Sequence, residues 1–333
     1  MIGKRKKQCD ADPFGCFPDP FGLIFLLLVL AACFAGTTHA CEMAQPPGKF
    51  DCNMDLPFLL KEAGRGDKEA QFRLGQMYSK GTGAPKNETE AVKWYRKAAE
   101  QNQLDAMHNL AKLYSAGQGV PKNEVEAFRL ENKAAEKGHV YAQNGLGLHY
   151  LEGRGVSHDS KEAIKWLKKA ADQGLSDAQS NLGKLYLVGD SVRIDYAEAF
   201  RWYQKAAVTG GAEAQFNLCS MYRNGQGVKK NMQTAYQWCC KSADNGNLQA
   251  QVAAGIFAYG TFPEITPDHK KAIYWWSQAA NKGYADAQFL LGMAYDSGKA
   301  VPKNPVEARR WYELAAKQGN PQAISRLSRK NNH

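Results

Sequence analysis

A chain of 333 residues with a formal net charge of +10, 44% hydrophobic and 23% charged residues, admits acidic partners such as phospholipid head groups or anionic polymers through a salt-dependent on-rate. Its eight cysteines include no CxxC pair, which excludes zinc-knuckle and thioredoxin-like chemistry. No HExxH, GxSxG or P-loop string occurs, so metalloprotease, nucleophile-elbow and nucleoside-triphosphatase readings lack their residues.

The amino terminus opens with Lys4-Arg5-Lys6-Lys7 and continues into the apolar run Phe21 to Leu30, followed by small residues. That is a secretory signal pattern, although Asp10, Asp12 and Asp19 make its basic region atypical. The run closes on Leu30-Ala31-Ala32-Cys33, which resembles the lipobox of bacterial lipoproteins and implies acylation of Cys33 after loss of residues 1–32. Ordinary cleavage after Ala40 is the rival. An uncleaved anchor is a third reading, with Phe21 to Gly36 short of the roughly 18 to 20 apolar residues a span needs. Residues 33–55 then form an extension, in which Cys41 and Cys52 are spaced to close a small loop.

From Ala70 a block of 36 residues recurs, restated at Ala106, Ala142, Ala178, Ala214, Ala250 and, after one step of 37, at Ala287. Ala70, Leu74 and Tyr78 lie four apart, and Ala91, Trp94 and Ala98 three and four apart, so each block predicts two amphipathic helices, A and B. Gly81 and Gly83 turn the chain between them, and Gly138, Gly174, Gly210, Gly246, Gly283 and Gly319 cap helix B, with Asn102 doing so in the first block. Gly75 sits inside helix A, where glycine costs about 1 kcal/mol relative to alanine, and close approach of helix B is the expected reason. Leu56 to Gly66 predicts a degenerate helix B before the first block, and Ala323 onward an eighth helix A. Single hairpins cannot bury their stripes, but stacked ones share a core.

These residues, from about Leu56 to Ser328, resemble the Sel1-like repeats, relatives of the tetratricopeptide repeats. The resemblance implies an all-α fold, a right-handed α-solenoid of stacked helix-turn-helix repeats over residues 56–328 with a tail at 329–333. With no catalytic constellation among its residues, the expected protein is a non-enzymatic scaffold for a protein partner, without cofactor or nucleic acid, and monomeric. Cysteine-rich Helicobacter members of the family carry paired cysteines in each repeat and are linked to β-lactam binding or hydrolysis. Here cysteines occur in one repeat of seven, so a β-lactamase-like or cell-wall-directed hydrolase is kept only as an alternative, beside an intracellular or endoplasmic-reticulum adaptor.

Cys219 replaces the helix A glycine of the fifth repeat, and Cys239 lies four residues after Ala235 on the inward stripe of its helix B. A bridge between them would pin one hairpin; two buried free thiols are the alternative. Cys240 is left over, either inert or a handle for an intermolecular bond. The paired acids Glu88 and Glu90 suit the start of a helix and carry no catalytic implication. The GxG strings fall mostly in the inter-helix turn, and His108 and His149 occupy different repeat positions, so no metal site is expected. Lys97, Lys133, Lys169, Lys205 and Lys241 recur at one position, as a solvated face does.

On helix A, counting from the repeat alanine, positions 1, 5, 8 and 9 form the core stripe and positions 3, 7 and 10 point away. By similarity to tetratricopeptide repeats the second face lines a concave groove. It carries Phe72, Gln76, His108, Lys112, Asn144, Leu148, Ser180, Lys184 and Phe216, running from polar and basic near Lys112 and Lys184 to apolar near Ile256 and Met293. The alternative for position 3 is packing on the neighbouring helix A. In the sixth repeat the glycine turn is rebuilt as Tyr259 to Asp268, with Tyr259 and Phe262 as candidate contacts. The expected protein is exported, as a periplasmic or outer-membrane lipoprotein tethered through its amino terminus, or else secreted.

Overall fold

The computed structural model describes residues 56–189 and 192–330. Those residues form sixteen α-helices and no strand. Helix α1 (Leu56–Gly64) precedes seven hairpins: α2 (Lys68–Lys80) with α3 (Glu88–Glu100), α4 (Leu104–Ala116) with α5 (Glu124–Glu136), and α6 (Val140–Glu152) with α7 (Ser160–Asp172). Then come α8 (Ser176–Val188) with α9 (Tyr196–Val208), α10 (Ala212–Asn224) with α11 (Met232–Asp244), and α12 (Leu248–Ala258) with α13 (His269–Asn281). The last hairpin is α14 (Ala285–Ser297) with α15 (Pro305–Lys317), and α16 (Pro321–Lys330) stacks on it. Each helix packs on its sequence neighbours, so the hairpins form an all-α solenoid.

Local chemistry sets the boundaries. Asn87, Asn123, Asp159, Asp195, Asn231, Asp268 and Asn304 each stand before a helix B and accept a backbone N–H of its first turn, a cap worth about 1 kcal/mol. The C-cap of helix B falls one residue before the glycine predicted to hold it: Lys137 caps α5, and Gly138 beyond it takes the left-handed conformation, φ 89°. Asn102, expected in that conformation, has φ 62°, the sole positive value for a non-glycine among the described residues.

The glycine inside helix A is a notch. A Cβ on Gly183 would lie 2.8 Å from the Tyr203 ring, and one on Gly75 would run into the ring of Tyr95. Gly147, Gly255 and Gly292 receive Leu167, Trp276 and Tyr312 in the same way. The preceding helix B residue, tryptophan in six repeats, closes the joint between repeats. Trp94 packs with Leu59 and Ala63 of α1 and with Ala70 and Leu74 of α2. Lys97, Lys169, Lys205 and Lys241 lie over the indoles of Trp94, Trp166, Trp202 and Trp238 at 3.9 to 4.4 Å. The recurring lysine is thus a lid on a tryptophan as well as a solvated charge.

Apolar periodicity does not reveal the buried glutamine at position 2 of helix A. Gln71, Gln143, Gln179, Gln215, Gln251 and Gln288 donate from Nε2 to the carbonyls of Ala63, Ala135, Ala171, Ala207, Ala243 and Ala280 at 3.0 to 3.2 Å. Each bond satisfies a carbonyl in the last turn of the preceding helix B and so clips two repeats together. Gln179→Met is expected to cost about 1 kcal/mol, read as a lower guanidinium midpoint with unchanged slope. In the second repeat the position is held by Met107.

Candidate functional site

The helix A face divides into residues committed to packing and residues open to a partner. Phe72 is buried with its ring 6.0 Å from Tyr95, and Phe289 stands 5.7 Å from Tyr312. Position 3 thus reaches helix B of its own hairpin. Phe216 is half-buried against the cluster of Cys219 and Cys239. His108 points its Nδ1 at Glu131 Oε1, 2.9 Å away, and Glu131 is 3% exposed. This pair takes the place of Phe72 and Tyr95 one repeat on. Glu131 had a sequence signal in its coincidence with His108: two polar residues where the first repeat has two aromatic ones.

Asn144, Leu148 and Ser180 come together. With Asp177, Asn181 and Glu213 they line a cleft of about 400 Å³ across α6, α8 and the start of α10. Asn181 Nδ2 donates to Asn144 Oδ1 at 3.0 Å, fixing the carboxamides between the helices. The charged groups lining this cleft are the carboxylates of Asp177 and Glu213, while Lys184 and Lys112 are exposed beyond its lining. The cleft offers amide, hydroxyl and carboxylate groups beside the apolar Leu148, suited to an extended peptide. Gln76 is half-buried, and Ile256 and Met293 pack partly against the core.

The rebuilt loop of the sixth repeat is an aromatic plug. Phe262 sits 4.6 Å from Phe257, and Tyr259 packs at 5.2 Å on Trp276 and 5.3 Å on His269. Ile265 behind them is 3% exposed.

Cys219 and Cys239 form a disulfide, Cα to Cα 5.2 Å, each at most 1% exposed. It occupies the notch that holds glycine and tyrosine in the fourth repeat. Cys240 is a free, half-buried thiol hydrogen-bonded to Tyr236, and burial pushes its pKa up. Alkylation of Cys240 by iodoacetamide at pH 8 is expected to run at least about tenfold slower in the folded chain than in urea, as read by mass spectrometry. Cys33, Cys41 and Cys52 lie outside the described residues. Among the described residues no group of three or more His, Cys, Asp or Glu side chains is placed to hold a metal ion, and no helix is long and apolar enough to cross a membrane.

Stacked helical hairpins with a notch glycine and a joint tryptophan define an α-solenoid repeat protein. The chain belongs to the Sel1 repeat family, whose model matches residues 68–103, 104–139, 140–175, 176–207, 212–247, 248–284 and 285–320. Among solved structures it is similar to a protective antigen of uropathogenic Escherichia coli strains displaying an SLR fold: 33% identity, TM-score 0.69, 81% of this chain and 58% of that one. It is also similar to a Sel1 repeat protein from Oxalobacter formigenes, at 32% identity and TM-score 0.68, over 82% of this chain and 79% of that one. Among curated proteins it is 38% identical over 71 residues to the chitin synthase regulator SKT5 of Saccharomyces cerevisiae, 21% of this chain and 10% of that protein. Chitin synthase regulatory factor 3 of Schizosaccharomyces pombe matches at 36% over 74 residues, 22% of this chain and 8% of that protein. The chain thus spans about a tenth of the length of these fungal relatives.

Proposed function

We propose that this protein is a non-enzymatic scaffold that binds a protein partner along its helix A face, exported and lipid-tethered in a bacterial envelope. The observation that carries the binding reading is the cleft of Asn144, Leu148, Ser180, Asp177, Asn181 and Glu213. It is a polar, partly apolar recess on the face that the core does not consume. Regulation of another protein through binding, which the fungal relatives' names state of those proteins, is the mode of action that fits such a face. For export, the support is the amino-terminal signal pattern with its lipobox-like end at Cys33 together with the Cys219–Cys239 disulfide, a bond that persists in oxidising compartments.

Affinity capture tests the binding face. Asn144→Trp, which fills the cleft, is expected to reduce recovery of the wild-type partner at least about tenfold, and charge reversal at Lys112 and Lys184 to reduce it less. Equal recovery by all variants would move the site off this face. Mass spectrometry of the mature amino terminus tests the tether: acylated Cys33 is expected, and an intact Met1 would refute export.

A further inference from the structure

Six of the seven hairpins place a tryptophan at one helix B position, and the second places Leu130 there. The indole of Trp202 packs among Ala171, Ala178 and Leu182, with Tyr186 beside them. One pair of repeats earlier the equivalent walls are Ala99, Ala106, Leu110 and Tyr114. Three of these four, Ala99, Leu110 and Tyr114, line a cavity of about 350 Å³ with Leu130 at its side. Leucine has no ring to fill the place that the sister repeats give to indole, and Leu130 is itself 4% exposed where it lines this cavity.

The border of the cavity is polar and of mixed charge, with Arg96, Arg129 and Lys133 beside Glu100 and Glu126. Arg129 is held by Glu126 at 2.7 and 2.8 Å, and Arg96 donates to the Tyr114 hydroxyl at 2.9 Å. Lys133, also lining the cavity, stands at the repeat position from which Lys97, Lys169, Lys205 and Lys241 cover an indole. In the second repeat there is no indole beneath it.

We propose that this cavity receives an aromatic side chain of a protein partner, a tryptophan by shape, with Lys133 capping the inserted ring. All seven tryptophans of the chain lie within its own hairpins, so the indole must come from another protein. An aromatic anchor entering a formed pocket is the usual energetic centre of an interface. The cavity shares no lining residue with the helix A cleft, so the two readings stand or fall separately.

The test titrates free indole and N-acetyl-L-tryptophanamide into the intact chain, followed by calorimetry. Both probes are expected to bind, and Leu130→Trp, which fills the cavity from within, to weaken both at least tenfold. Leu130→Phe, a smaller filling, is expected to weaken them less, and Lys133→Ala about threefold through loss of the cation–π contact. Folding of each variant is checked by circular dichroism and its thermal midpoint. Absence of binding by either probe, or binding unchanged by Leu130→Trp and Leu130→Phe, would overturn the proposal. Binding of indole without N-acetyl-L-tryptophanamide would also overturn it, because a side chain on a backbone could not enter.

Discussion

Reduction of the Cys219–Cys239 bond is expected to lower the stability of the folded chain by about 3 kcal/mol, the order expected for a loop of this size. The cysteines are 20 residues apart, one on each helix of the fifth hairpin. Both are buried, so Cys239→Ser adds an unpaired hydroxyl to the loss of the crosslink and is expected to be no more stable than the reduced protein. The repeat itself supplies the rescue. In the fourth hairpin the same two positions are Gly183 and Tyr203, and a Cβ on the glycine would lie 2.8 Å from the ring. Cys219→Gly with Cys239→Tyr should rebuild that notch, with Phe216 placed to meet the new ring as Phe72 meets Tyr95 at 6.0 Å. The double variant is expected to unfold at the same guanidinium concentration with and without dithiothreitol, whereas the wild type shifts. A wild-type midpoint indifferent to dithiothreitol would show that the bond carries no stability.

Much of the architecture was legible because it repeats. Seven copies of one spacing placed the hairpins, the notch glycine and the turn glycines, and Asn102 could be assigned its left-handed backbone from the company it keeps. The Cys219–Cys239 bridge was one of two readings the sequence left open, two departures placed to meet in space or two buried free thiols. Less legible was the direction of position 3. A helical wheel places it opposite the core stripe, but helix A in a solenoid is flanked by helix B of its own hairpin as well as the preceding one. Its buried arc is therefore wider than a half-exposed helix would suggest, and Phe72 falls inside it. The glutamine clips were hidden because a search for apolar stripes passes over polar residues, and Gln143 and Gln215 are buried by hydrogen bonding rather than by hydrophobicity. On the open face, the polar cleft of Asn144 and Ser180 follows from residues three repeats contribute jointly. No single repeat's pattern announces it.

The second repeat carries the other large effect. His108→Ala is expected to cost about 2 kcal/mol, since it leaves the carboxylate of Glu131, 3% exposed, without its imidazole partner. The neighbouring positions have adjusted to this pair. Position 6, glycine in most repeats, is Ala111 here, and Gly145 on α6 leaves room for the acid: a Cβ there would lie 2.8 Å from Glu131 Oε1. Glu131→Tyr alone should therefore fail, because the ring would meet the methyl group of Ala111 as the Tyr95 ring would meet a Cβ on Gly75. His108→Phe alone should fail too, because it buries the carboxylate against an apolar ring. The triple variant His108→Phe, Ala111→Gly, Glu131→Tyr copies the first repeat and is expected to recover most of the loss, so that the single effects sum to far more than the triple one. A thermodynamic cycle across these variants measures that coupling. Additive losses would mean that His108 and Glu131 are independent substitutions, whereas strong coupling would establish that this repeat exchanged its aromatic clasp for a polar one as a unit.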